Sequence, residues 1–248
     1  MKKYYRLNKI LFTVANYFIN FPLIIAAISI FYYPDVITYN VGATPTDFQL
    51  AHSIFFLLYG LIGTIVPIFI SIIIEFKADT HDDNKINIPR LLNCLLSIGL
   101  TIAMLILSIR VFLDMGLNMY FSSERIVGFV CIILCSLQLL STGFFGSIDE
   151  HSKVVIKAFS LYPALAHKFH GSLAMVIGTS SLLGLVFSAI TMNYYSIIIE
   201  VVNVLIIVLF LLYMIYKSKK IYEQQHSIDN DDEYEVLEDK NIKIEVED

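Results

Sequence analysis

Charge is scarce in this chain of 248 residues: Asp, Glu, Lys and Arg make up 16%, against 57% hydrophobic residues and a mean hydropathy of +0.71. A soluble domain of this length cannot enclose so much apolar surface, so an aqueous fold is excluded and lipid must take the excess. Cysteine is also scarce. Cys94, Cys131 and Cys135 all fall inside apolar runs, which argues against a secreted disulfide framework and reads them as small buried hydrophobes. The formal charge is -5, and no nucleic-acid partner is expected. No catalytic, cofactor or transport signature stands out, so no cofactor or metal is expected.

What the chain does have is six long apolar runs, each near the ~20 residues that a helix needs to cross a hydrocarbon core of ~30 Å. They lie at about 10–32, 49–74, 91–113, 127–147, 171–191 and 195–216. The expected fold is all-α: a polytopic six-transmembrane-helix bundle over 10–216, preceded by a basic segment 1–9 and followed by a tail 217–248. Lys2, Lys3, Arg6 and Lys9 precede the first run, as they would a secretory signal. That run exceeds an h-region of ~7–15 residues and lacks a small-x-small cleavage site, so it is read as a span.

The tail skews the charge. Residues 223–248 hold 11 of the 22 acidic groups, with Lys240 and Lys243 as their cations, while residues 1–222 carry 15 basic groups against 11 acidic. Such a segment is too charged and too poor in apolar residues to fold alone, and is expected to be disordered. Asp229, Asp231 and Glu233 have the spacing of the first ligands of a calcium loop, but the glycine that such a loop requires is missing. Tyr234-Glu235-Val236-Leu237 has the form of a tyrosine-based sorting signal.

Lys and Arg near span ends are retained in the cytoplasm. Lys2, Lys3, Arg6 and Lys9, then Lys77, Lys85 and Arg90, then Lys153, Lys157 and Lys168, then Lys217, Lys219 and Lys220 fall on one side of the alternation, and Arg110 and Arg125 towards the other. Six spans with this bias place both termini in the cytoplasm, a pattern that an odd number of spans would destroy.

Polar groups inside lipid are costly and are therefore the default functional candidates. Glu200 lies about five residues into the last span, roughly 8 Å deep at 1.5 Å per residue. Arg110 sits at a matching depth near the outer end of the third span. One reading is a proton or cation site at Glu200 gated by Arg110. The favoured one is structural: a buried ion pair locking two helices, or separate snorkelling to the interface. Asn16 and Asn20 on the first span, Gln138 on the fourth and Asn203 on the last read as bonding groups between helices. On the fifth span Ala174, Gly178, Ser180, Gly184 and Ser188 allow close helix approach, with Gly60 and Gly63 of the second span as the candidate partner. Pro22 and Pro67 are the span prolines, and there is no convincing internal repeat of the kind many transporters carry.

The histidines raise the question of haem or zinc. His52 opens the second span from outside, whereas His167 and His170 precede the fifth from inside, so a bilayer thickness keeps them from sharing one metal. His151, Asp149 and Glu150 share the inner loop with His167 and His170 and could form a local site, though a solvated loop is the favoured reading.

A resemblance enters at the first outer loop. Tyr33-Pro34-Asp35-Val36-Ile37-Thr38-Tyr39-Asn40-Val41-Gly42, leading through Pro45 and Asp47 to Phe48, His52 and Gly60, resembles the opening of a six-span family catalogued as a domain of unknown function. Asn40 stands where that family has an acid. Gly143-Phe144-Phe145-Gly146, Asp149, Tyr162-Pro163 and His167-x-x-His170-Gly171 are similar to its loop between the fourth and fifth spans. The two patches cover about a fifth of the chain. The Frag1/DRAM/Sfk1 group of six-span proteins, whose members are linked to autophagy and lipid organisation, also looks similar at the outer loop. Either resemblance implies topology and no established reaction. Tyr39, Asn40, Gly42, Asp47 and His52 thus form a candidate outer-loop motif, and Asp149, His167 and His170 a candidate inner-loop motif.

The expectation is a non-enzymatic integral membrane protein that organises lipid or protein partners, its acidic tail available to a cytoplasmic protein. The alternative is a transporter of small solutes, ions or protons using Glu200 and Arg110. Plasma membrane and endomembrane both fit. An Asn40→Cys variant is expected to react with a membrane-impermeant thiol reagent from the outer face of sealed cells or vesicles; labelling from the inner face alone would reverse the topology.

Overall fold

The computed structural model describes residues 4–32, 36–40, 48–52, 54–76, 85–115, 122–148 and 163–244, with side chains described over 4–32, 54–74, 85–113, 122–148 and 168–224. The first apolar run is two helices rather than one, α1 (Tyr5–Phe18) and α2 (Phe21–Tyr32). Pro22 causes the break, because it has no N–H to donate and its ring crowds the carbonyl four residues back, that of Phe18. A backbone group left open inside hydrocarbon costs several kcal/mol unless a neighbour bonds it. The neighbours do so. The Thr101 hydroxyl donates to the Phe18 carbonyl at 3.1 Å, and the Leu23 N–H donates to the Thr64 hydroxyl at 3.2 Å. The Asn20 amide donates to the carbonyls of Asn16 at 3.1 Å and Leu139 at 3.4 Å, and to the Thr142 hydroxyl at 3.3 Å.

After α2 come two short antiparallel strands, β1 (Val36–Asn40) and β2 (Phe48–His52), in a register that sets Val36 opposite His52 and Asn40 opposite Phe48. The β-branched run Val36-Ile37-Thr38 suits a strand. The second span consequently begins at Ile54 instead of 49, and His52 closes a strand instead of opening a helix. Helices α3 (Ile54–Phe76), α4 (Ile88–Met115), α5 (Ser123–Gly146), α6 (Pro163–Thr191) and α7 (Tyr195–Ile244) follow. Among the described residues six segments are long and apolar enough to cross a membrane, with α1 and α2 counting as one. The fold is the all-α six-helix bundle expected, with one small hairpin added.

The second half of the first span is the centre of the bundle. Leu23, Ala26 and Ala27 of α2 are fully buried, and the core around them draws on Leu57 of α3, Ile132 and Leu139 of α5, and Leu185 and Ala189 of α6. Phe31 stacks on Phe129 of α5 with centroids 4.3 Å apart, and the Ser29 and Ser108 hydroxyls meet at 2.6 Å between α2 and α4. Gly60 and Gly63 face α2, not the fifth span as expected: a Cβ on Gly60 would sit 2.5 Å from the Ala26 Cβ and 2.8 Å from the Pro22 carbonyl oxygen. Helix α6 instead lies along α5, where a Cβ on Gly178 would touch Thr142 at 3.4 Å.

Helix α7 lies at the edge of the bundle against α5 and α6. Ile198, Val201, Leu205, Leu209 and Leu212 on it are exposed, as suits a helix facing lipid. It continues to Ile244, so the tail expected to be disordered is helical over most of its length. The physical reason is visible in the sequence: residues 217–244 contain neither Gly nor Pro, so nothing stops the helix at Tyr216. Lys219 and Glu223, one turn apart, pair at 3.7 Å.

Close packing of α2 on α3 predicts that Gly60→Ala destabilises the purified protein by about 1–3 kcal/mol, the usual cost of overpacking. Gly99→Ala, whose Cβ meets nothing within 4 Å, should leave stability unchanged or raise it by about 0.5 kcal/mol through helix propensity. Thermal unfolding in detergent reads both.

Candidate functional site

Three helices each place two residues, three positions apart, on one face: Cys135 and Gln138 on α5, Ser181 and Gly184 on α6, Glu200 and Asn203 on α7. Residues three apart on a helix are neighbours, so the three faces close on one another as a single polar cluster. Gly184 makes the approach possible, since a Cβ there would stand 3.0 Å from the Cys135 sulfur and 3.5 Å from the Asn203 amide nitrogen.

Glu200 is buried, at 7% exposure. The Cys135 thiol donates to its Oε2 at 2.8 Å, the Gln138 Nε2 donates to its Oε1, and the Asn203 Nδ2 lies 3.5 Å from Oε2. Gln138 Oε1 in turn accepts from Asn203 Nδ2 and from the Ser181 hydroxyl at 3.2 Å. The contacts run inward from Glu200 to Ser181, which is about 15 Å from the Thr191 end of α6 at 1.5 Å per residue. Every partner of the Glu200 carboxyl in this cluster is a neutral group. The Asn203 Oδ1 is buried and has no donor.

The other candidates lie elsewhere. Arg110 is exposed on α4, and among the described residues α4 does not touch α7; the ion pair suggested by matching depths does not form. Matching depth is a single coordinate, and the two helices stand on different sides of the bundle. Asn16 and Asn20 belong to the break in the first span, where Asn16 supplies a carbonyl and Asn20 an amide. Tyr39 and Asn40 lie on β1 and His52 on β2, while Gly42, Asp47 and Asp149 fall outside the described residues. His167 is in the first turns of α6. His170 is fully buried, stacked on Phe145 with centroids 6.4 Å apart. Among the described residues no three of His, Cys, Asp and Glu converge to hold a metal ion.

Several members of these networks are missed by sequence reasoning. Cys135 reads as a small hydrophobe, yet its thiol bonds Glu200. Thr64, Thr101 and Ser181 look like ordinary span hydroxyls. A signal exists for the main cluster: polar pairs spaced by three within an otherwise apolar helix, at 135/138 and 200/203, mark a face turned inward. No such signal marks Asn8, whose amide donates to the Lys85 carbonyl at 3.1 Å and accepts from the Asn87 N–H at 3.0 Å, tying the start of α1 to that of α4. Beside it, Phe12, Ala15, Ser71, Ile74, Arg90 and Asn93 line a crevice with room for about one water molecule.

The fold and the cluster define a multi-pass membrane protein with a buried carboxyl held among neutral polar groups. Comparison with protein-family models, curated proteins and solved structures finds no match.

Because Glu200 and Arg110 do not touch, the stability changes of Glu200→Gln and Arg110→Gln should add within about 0.5 kcal/mol in the double variant, as for independent sites. A larger coupling in the thermal-unfolding cycle would restore the ion pair.

Proposed function

We propose that this protein is a non-enzymatic component of its membrane that organises lipid or a protein partner around a rigid bundle, with both termini in the cytoplasm. The observation supporting this reading is where the polar side chains of the spans direct their hydrogen bonds. Thr64, Thr101, Asn20, Ser29, Gln138 and Asn203 each bond a neighbouring helix. These are bonds that hold helices together, whereas a transport path needs polar groups turned to water. The lipid-facing rows on α3, α4 and α7, with Ile62, Phe69, Ile106, Leu113 and Leu205 all exposed, suit a surface that lipid or a partner helix covers. The resemblance of the outer loop to the Frag1/DRAM/Sfk1 group is in keeping with lipid organisation, and the acidic segment after Glu223 suits docking of a basic cytoplasmic protein.

A second reading, transport of protons or cations, has one observation in its favour: a buried carboxyl bonded to neutral groups. Reconstitution separates the two. In sealed vesicles the purified protein is expected to give background proton and cation flux, unchanged by Glu200→Gln, while phospholipid remains bound through purification. Flux that disappears in Glu200→Gln would replace the organising role with transport.

A further inference from the structure

We propose that the α5, α6 and α7 junction binds one small monovalent cation, a proton or a sodium ion, between Glu200 and Gln138. An ionised carboxylate in a hydrocarbon-embedded bundle requires a compensating positive charge, and acids inside spans accordingly pair with cations or carry a proton. The helices packed on α7 are α5 and α6. Facing Glu200, α5 presents the thiols of Cys131 and Cys135 and the amide of Gln138, and α6 presents Ser181 and Gly184. None carries a positive charge, and Arg110 stands on a helix that does not reach α7.

The hydrogen-bond pattern points to the place. As arranged, Gln138 donates to Glu200 and accepts from Asn203, while Asn203 Oδ1 is left without a donor in a residue only 4% exposed. The oxygen and nitrogen of a primary amide exchange places by a half-turn of a soft terminal torsion. Turning both amides brings Asn203 Oδ1 to the Gln138 Nε2 and to the place 3.5 Å from Glu200 Oε2 that Nδ2 had held. It leaves Nδ2 where the oxygen stood, so the turn exchanges one open atom for another and gathers oxygens around the carboxyl. The same turn sets Gln138 Oε1 against Glu200 Oε1, two acceptors face to face. Such a pair holds together only with a positive charge between the oxygens. A proton on Glu200, donated to Gln138 Oε1, fits the contact as it stands; a sodium ion would part the two side chains and could draw on Asn203 Oδ1 and the Ser181 hydroxyl as further oxygen ligands. Binding here requires no flux, so it goes beyond the organising role and survives or fails independently of it.

The test uses the full chain in lipid nanodiscs. Infrared spectra at neutral pH are recorded for wild type, Glu200→Gln and Glu200→Asp, and melting temperature is followed as sodium chloride replaces choline chloride at constant ionic strength. A protonated-carboxyl band that Glu200→Gln removes, or that Glu200→Asp shifts where the glutamine variant does not fold, identifies the proton. No such band, together with a sodium-dependent rise in melting temperature that both variants reduce, identifies sodium. No band and no sodium dependence overturns the proposal.

Discussion

Everything in this bundle hangs on how the broken backbone at Ile19 and Asn20 is bonded. Inside hydrocarbon no water is available for a released carbonyl or N–H, so a proline in a span survives only where other helices bring donors and acceptors to it. Thr64 of α3, Thr101 of α4 and Thr142 of α5 meet at the break, through Leu23, Phe18 and Asn20 respectively. One local defect therefore dictates the rotation of three other helices about their axes, and with it the position of α2 at the centre.

From that centre the rest of the packing follows. Pro22 and Ala26 leave a shallow surface into which Gly60 and Gly63 of α3 press. On the opposite side Ile132 and Leu139 of α5 and Leu185 of α6 close over Leu23 and Ala27. With α5 and α6 seated, Gly184 comes against Cys135, and α7 has a polar face to meet. The Glu200 cluster is thus the last layer laid on a framework whose first layer is the proline break. It joins α7, exposed along most of its apolar length, to helices that pack well without it.

The separation of Glu200 from Arg110 shows what depth alone leaves undecided. Two charges at one level of a membrane have a whole circle of helices on which to stand, and pairing needs both the same depth and adjacent helices. Glu200 met α5, where an amide and a thiol face it. Two of the polar groupings have different tasks: the Asn20 amide bonds open backbone at the break, and Glu200, Gln138 and Asn203 share one hydrogen-bonded chain.

The number of spans and the all-helical class were legible in the sequence because hydrocarbon acts on each segment separately: about twenty apolar residues in a row meet the requirement wherever they pack. The spacing of polar pairs, 135 with 138 and 200 with 203, was an equally local signal, and reading Cys135 as a small hydrophobe passed over it. Other features depended on partners far along the chain. The break after Phe18 needed Thr101 and Thr64, the strand at Phe48–His52 needed Val36–Asn40, and the partner of Gly60 proved to be Ala26. Segment by segment, the sequence determined what crosses the membrane. Tertiary structure alone decided which polar atoms meet there, because a helix's rotation and neighbours are set by packing between segments.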